Sequence, residues 1–373
     1  MKQTKNKTIT YLFYFAYMFL LWYSMAGHIF ILQPIFKYTN YVSMAILSFL
    51  IIAQAIHYTK KEFLISTILI IYSFLFYYRT KDASLLKIVL VIMAMKNVDF
   101  GKCILLDFKA RILGIIGVYT LMKLGYVTDK LSYFDGTWRH SLGFTNPNTL
   151  GMHIMILVFE ILYFNKEKVS IWKLTVSFFI LFAINYYTGC RTINLLMIIS
   201  CIIFTIYKYF PNILNKKIIK SGIINSPIIF FIITFIFFYL YKINLPLGET
   251  VNNLLSNRLM NIVTYSQYYS INIFGNNLDS LELTLDTFYA YLIYGTGILG
   301  TIFTLYVFRK LFIELYKRKE TSLIIIFFIF MIYGFSERIW VLIDYNIFMS
   351  CFAFLVFSNK EKTKEKKGLD FFY

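Results

Sequence analysis

The sequence predicts an all-α, polytopic membrane protein, and three observations predict it. Apolar runs of roughly 20 residues, the length a helix needs to cross a bilayer core, recur from near residue 10 to residue 358. Charged residues make up 15% of the 373-residue chain, against about 25% in an ordinary soluble domain. Most lysines and arginines fall in alternate gaps between the apolar runs, as they do in the cytoplasmic loops of membrane proteins. The net charge of +18 would by itself admit a nucleic-acid partner. Its position between spans reads instead as juxtamembrane charge, so no nucleic acid is expected.

About twelve spans are expected, near 10–32, 38–58, 62–78, 84–98, 107–126, 146–164, 169–187, 191–210, 224–243, 286–308, 321–338 and 342–358. The first follows Lys2, Lys5 and Lys7 as a signal peptide would, but its apolar run reaches Leu32. A signal peptide's apolar region is about 7–15 residues and ends in a small-residue cleavage site, so an uncleaved span is expected. The fourth and fifth spans are interrupted by Lys87, Lys96, Asp99, Lys102, Asp107, Lys109 and Arg111. With the N-terminus in the cytoplasm, 26 of the 37 basic residues fall in cytoplasmic segments. That bias puts both termini inside, including the basic tail 359–373, and makes 1–373 a single integral domain of the cytoplasmic membrane. Of Cys103, Cys190, Cys201 and Cys351 only Cys190 reaches the outer side in this topology, so no intramolecular disulfide is expected there.

Two extracytoplasmic segments stand out, 127–145 and the long loop 244–285. A loop of that length with apolar residues of its own is usually functional or packed as a lid. No internal repeat is visible, which argues against transporters built from inverted repeats.

The polar residues on that outer side carry the candidate chemistry. Asn146 is a good N-cap and Pro147 suits the first helical position. The sixth span therefore presents N–H groups outward, as an anion site or simply as a capped helix. Arg139 and His140 precede it, and Asn148 lies in its first turn. Gly189 allows a tight turn before Arg191, which opens the eighth span. A cation at a helix N-terminus opposes the dipole unless an anion bridges the two, and arginine suits phosphate; otherwise Arg191 snorkels to the headgroups. Arg258 supplies another outer cation. Asp286 starts the tenth span, with Glu282 a turn before it, as a base or as a helix-capping charge. Glu337 and Arg338 form an outer turn, pairing with each other or contacting substrate. His28, His57 and His153 read as packing residues, and Glu160 as an intramembrane carboxyl on the wrong side for this site. No Cys/His spacing resembles a zinc site, and no Asp-x-Asp pair lies outside, so neither a metal nor another cofactor is expected.

These motifs, by order and sidedness, resemble the O-antigen polymerase and ligase superfamily, specifically Wzy-type capsular or exopolysaccharide polymerases. The likeness is carried by Gly143-Phe144-Thr145-Asn146-Pro147-Asn148-Thr149-Leu150-Gly151, by Thr188-Gly189-Cys190-Arg191-Thr192, by the stretch from Arg258 to Phe274-Gly275, and by Leu285-Asp286-Thr287-Phe288-Tyr289 leading to Gly297-Ile298-Leu299-Gly300. The resemblance implies a metal-independent membrane glycosyltransferase of the GT-C type. Its donor and acceptor would be polyprenyl-pyrophosphate-linked oligosaccharides, with membrane lipids, a flippase and chain-length regulators as further partners. By carry-over Arg191 and Arg258 hold donor pyrophosphate or sugar, and the 244–285 loop covers the site. Cys190 stands where a serine is common and Thr287 where an asparagine is common. The histidine that ligases carry near Asp286 is absent, which favours polymerase over ligase.

The expected activity is polymerisation of lipid-linked repeat units, with Asp286, Arg191 and Arg258 catalytic and Arg139, His140, Asn146, Asn148, Glu337 and Arg338 binding substrate. Arginines and helix N-termini would stabilise charge on a pyrophosphate leaving group, and a carboxylate would take the acceptor proton. The base stays open among Asp286, Glu282, Glu337 and His140. The alternatives are a ligase that moves finished glycan to another acceptor, or a lipid-oligosaccharide flippase.

Overall fold

The computed structural model describes residues 2–29, 32–134, 136–164, 171–278, 281 and 284–357. The candidate base Glu282 and the basic tail 359–373 lie outside the described residues. The chain is all-α apart from one small hairpin. In order it forms α1 (Lys2–Ala26), α2 (Gln33–Ala55), α3 (Lys60–Thr80), α4 (Ser84–Ala94) and α5 (Phe100–Lys123), then strands β1 (Leu131–Phe134) and β2 (Thr137–His140). There follow α6 (Pro147–Phe164), α7 (Ile171–Thr188), α8 (Arg191–Tyr209), α9 (Lys217–Lys242), α10 (Pro246–Leu254) and α11 (Arg258–Tyr268). Last come α12 (Phe288–Tyr291), α13 (Gly297–Lys317), α14 (Thr321–Tyr333) and α15 (Ala353–Val356).

Seven helical stretches among the described residues are long and apolar enough to cross a membrane: those of α1, α2, α3, α6, α8 and α9, and the run Phe288–Lys317. The other expected spans are shorter or more charged. Helix α4 has 11 residues, about 16 Å at 1.5 Å per residue, roughly half the hydrocarbon thickness. In the last expected span the helical residues are the 3-10 stretch Ile347–Phe352 and the four-residue α15.

Helix α6 is the centre of the bundle. In its apolar window 83% is buried, against 22% for α9. Apolar content does not set the difference, since α9 is the more apolar of the two and an all-apolar helix can face lipid; α6 instead carries His153 and Glu160, fully buried polar groups that need a protein interior. Helix α14 is enclosed along most of its length as well. Between the two an aromatic cluster packs Phe330 against Phe159 (ring centroids 4.5 Å) and Trp340 (4.9 Å). The Trp340 indole Nε1–H donates to the Phe330 carbonyl, which also accepts the Gly334 N–H at the end of α14.

Four of the charges that interrupt this region, Lys87, Lys96, Asp107 and Arg111, pair, whereas Asp99, Lys102 and Lys109 stay exposed. Arg111 and Asp107 are fully buried on one face of α5, four residues apart. Arg111 donates from Nε (2.9 Å) and Nη2 (2.7 Å) to Asp107 Oδ2, and from Nη1 to His153 Nδ1 (2.6 Å). That ring nitrogen must be the acceptor, because a guanidinium has only donors. The Tyr17 hydroxyl donates to the other Asp107 oxygen at 2.8 Å, and His153 stacks on Tyr345 at 4.8 Å. The buried Glu160 stands within electrostatic reach of the same guanidinium. Lys87 of α4 reaches Asp344 at 2.6 Å and Lys96 reaches Glu62 at 2.7 Å. Ionisable groups in an apolar bundle are usually paired, and these pairs tie α4 and α5 to their neighbours.

The described parts of both long segments expected as loops contain regular structure. In 127–145 a two-stranded antiparallel hairpin pairs Ser132 with Arg139 and Tyr133 with Trp138. In 244–285 the chain forms α10 and α11, whose Leu259, Ile262 and Tyr265 bury against Leu285, Ala290, Tyr291 and Tyr294 as a separate small core. The loop is then laced to the five-residue π-turn Leu292–Thr296 that joins α12 to α13. Asn276 donates from both its backbone N and its side chain to the Tyr294 carbonyl at 2.9 Å. This close approach requires Gly275, whose φ is +82° and where a Cβ would stand 1.9 Å from the Gly295 carbonyl oxygen. Gly275→Ala is expected to destabilise the protein by about 1–3 kcal/mol and to expose 269–278 to protease before the rest of the bundle opens. Thermal melting and limited proteolysis in detergent check this; an unchanged cleavage pattern would count against the lacing.

Candidate active site

At the end of the bundle where α6 and α8 begin, five stretches distant in sequence enclose a cavity of about 120 Å³. Its wall takes Arg139 from β2, Asn148 from α6, residues 189–193 from the α7–α8 turn, Ser256 and Arg258 from the α10–α11 junction, and Tyr333 and Glu337 from the end of α14 and the turn beyond. Three guanidiniums thus face one carboxylate.

Arg139 is pinned. It alternates with Trp138 along β2, so as the aromatic ring turns outward the guanidinium turns to the bundle. It donates from Nη2 to Asn148 Oδ1 (2.6 Å) and to the Cys190 sulfur (3.2 Å), and from Nε to the Thr188 carbonyl (3.1 Å). The turn it grips needs Gly189, at φ +61°, where a Cβ would lie 2.7 Å from Arg139 Cγ. Asn185 braces the same turn, its amide donating to the Cys190 carbonyl (3.2 Å) and to Asn194 Oδ1 (2.6 Å). Burial pushes the Cys190 thiol up against the opposing pull of Thr188 and Arg139. It is therefore a hydrogen-bonding strut, donating to the Pro147 carbonyl at 3.3 Å, and not a thiolate nucleophile. Arg191 opens α8 from an N-cap, Cys190, that offers the helix no side-chain acceptor, and its exposed side chain lines the cavity.

Arg258 is held between two carboxylates. Nη1 contacts Asp286 Oδ2 and Nη2 donates to Glu337 Oε1 at 2.9 Å, while Nε is buried with no hydrogen-bond partner among the described residues. Its position depends on an unusual helix start. Ser256 and Asn257 both have positive φ, +55° and +65°, and Asn257 makes no side-chain cap. The cap comes from the buried Asn252, whose Oδ1 accepts from the Met260 N–H at 3.0 Å and whose amide holds Asn257 Oδ1 at 3.0 Å. Burial, with Asp286 adding and Arg258 opposing, pushes the Glu337 carboxyl up to about 7. The Tyr333 ring is 1% exposed, yet its hydroxyl has no hydrogen-bond partner among the described residues and its side chain lines the cavity.

Of the residues expected from sequence, Arg139, Asn148, Arg191, Arg258 and Glu337 meet here. Four do not line the cavity. His140 Nδ1 meets Asp129 at 2.6 Å, so that side chain ties the hairpin to the preceding loop. The same contact and the Leu142 N–H, at 2.8 Å, hold the Asp129 carboxyl below its usual range against the effect of partial burial. Asn146 caps α6, accepting from the Thr149 N–H at 2.9 Å, so that end is a capped helix start and its anion reading loses a donor. Asp286 stands behind Arg258, two residues before α12 begins. Arg338 lies over the Tyr291 ring at 5.3 Å and does not pair with Glu337. Sequence reading missed Tyr333, although it lies four residues before Glu337, and Asn252, whose partners come only from the fold. No protein family and no curated protein matches this chain.

A cavity of this kind suits an anion with several oxygens. Three arginines supply charge-assisted donors, space exists for a small polyanionic group or several waters, and one carboxyl with a shifted pKa can exchange a proton near neutrality.

Proposed function

We propose that the chain is a polysaccharide polymerase of the cytoplasmic membrane. Its apolar segments cross the bilayer with both termini inside, and the cavity opens on the outer face. There it transfers a growing glycan from its polyprenyl pyrophosphate to a hydroxyl of a new lipid-linked repeat unit. One observation carries the reading: Arg139, Arg191 and Arg258, from three distant parts of the chain, converge on one cavity beside a carboxyl group. Pyrophosphate is a good leaving group whose developing charge needs such donors and little else. The positive-inside pattern puts this end of α6 and α8 outside, where lipid-linked repeat units are joined. A flippase would carry charge along a path through the bundle; the buried Asp107 and Arg111 instead pair with each other on one face of α5, with His153 beside them.

The test is a gel of lipid-linked glycans from cells with and without the protein. Loss of the protein is expected to collapse the ladder to a single repeat unit. A full ladder that accumulates on its lipid carrier would mean ligation instead. Arg191→Ala is expected to give the same collapse at normal protein levels, because its side chain is exposed and its removal spares the core. Full-length polymer from this variant would remove Arg191 from the reaction.

A further inference from the structure

We infer that Glu337, rather than Asp286, is the group that takes the proton from the acceptor hydroxyl; the inference rests on the polymerase reading. Three observations place the base there. Glu337 lines the cavity and Asp286 does not. Arg258 occupies only one Glu337 oxygen, Oε1; Oε2 accepts no hydrogen bond among the described residues and is not among the sealed polar atoms. The Tyr333 hydroxyl, in the same wall, has no partner either. A sugar hydroxyl arriving in the cavity would donate to Glu337 Oε2, and the Tyr333 hydroxyl, sealed just behind the same wall, would donate to it on a small turn of the ring.

The charges around Glu337 also suit a base. Arg258 of α11 and Arg338 of its own turn favour the carboxylate, while Asp286 before α12 and burial oppose it. Cys190, at the start of α8, and Tyr333 lie close by, and both are neutral partners. Across the cavity stand Arg139 and Arg191. The balance leaves Glu337 near 7, where a proton acceptor for a hydroxyl is most effective. Asp286 then has a positioning role: it fixes the guanidinium that orients Glu337.

The step balances. The acceptor O–H proton passes to Glu337 Oε2, and the acceptor oxygen forms a bond to the donor's anomeric carbon. The bond from that carbon to the pyrophosphate oxygen breaks, and its electron pair leaves on the pyrophosphate against Arg139 and Arg191. Glu337 later returns its proton to water.

The experiment uses the purified full-length protein in lipid vesicles with a polyprenyl-pyrophosphate-linked oligosaccharide, and measures elongation from about pH 5 to about pH 9. The sign follows from the role. A base must be ionised, so the wild-type rate is expected to rise through about pH 7 and level off. Glu337→Gln keeps the shape and the acceptor for Arg258 but cannot take a proton. It is expected to lose about 10²–10⁴-fold in rate and the acidic limb with it, while binding of polyprenyl pyrophosphate stays unchanged. Glu337→Asp is expected to restore part of the rate with a displaced limb. A Glu337→Gln enzyme that is as fast as wild type, that keeps the acidic limb, or that loses pyrophosphate binding in proportion to rate would overturn the assignment. A wild-type protein that fails to elongate the repeat unit would overturn the polymerase reading itself, and the base with it.

Discussion

Arg258→Ala is expected to abolish polymer and to weaken the protein at the same time. The guanidinium is the only described cation in contact with both Asp286 and Glu337. Without it the two carboxylates face each other in a poorly hydrated wall, and one must hold a proton or move away. Removing one partner of such a desolvated ion pair costs on the order of 3 kcal/mol. The loss of a charge-stabilising donor beside the reacting phosphate costs a further 10²–10³-fold in rate, roughly. Arg258→Lys should rescue neither effect, because an ammonium is a point charge that cannot bridge two carboxylates from opposite edges of a fork. The glycan ladder and the melting temperature in detergent read the two consequences separately. A stable variant that makes no polymer would place Arg258 in the chemistry alone, and a normal ladder would take it out of the site. Arg191→Ala provides the contrast, since it should lose polymer without losing stability.

Asp107→Ala should be the most destabilising single substitution in the bundle. Arg111 is fully buried, and two of its nitrogens bond to the Asp107 carboxylate. Truncating the acid leaves a guanidinium in an apolar interior with His153 as its remaining acceptor. The expected cost is about 3–5 kcal/mol, enough to remove most of the protein from the membrane, given typical stabilities of roughly 5–15 kcal/mol. Asp107→Leu combined with Arg111→Met should recover much of the loss, because a buried ion pair replaced by apolar side chains of similar volume is often neutral. Recovery would be incomplete, as Tyr17 loses its acceptor and Glu160 its neighbouring cation. Protein accumulation and melting in detergent measure both variants. An Asp107→Ala protein that melts with wild type would show that Arg111 finds water or another acceptor, and would refute its dependence on Asp107.

Much of the candidate site was legible in advance because its signals are local. Arg139, Asn148, Arg191, Arg258 and Glu337 each stand at or near the end of an apolar segment, and an end of a segment is a property of the chain within a few residues. The Asn146 cap was legible for the same reason, since its partner Thr149 is three residues away. Partnership was not legible. Arg258 and Glu337 are 79 residues apart, and nothing near Glu337 told its pairing with Arg258 from a pairing with Arg338. His140 looked like a site residue because only the folded hairpin brings Asp129 against it. The hairpin was missed because four-residue strands leave too short an alternation to stand out beside helices of 20 residues or more.

By itself the sequence determined the helical class and the polar helix ends that carry the arginines. Hydropathy and helix capping act over one to five turns, and the residues involved are neighbours along the chain. Only the tertiary structure decided that Lys87 and Arg111 find partners elsewhere in the bundle, that α11 packs on residues 285–294 as a separate small core, and that Glu337 rather than Asp286 faces the cavity. Each of these depends on which distant side chain fills the space opposite, and burial turns that choice into several kcal/mol that no local pattern records.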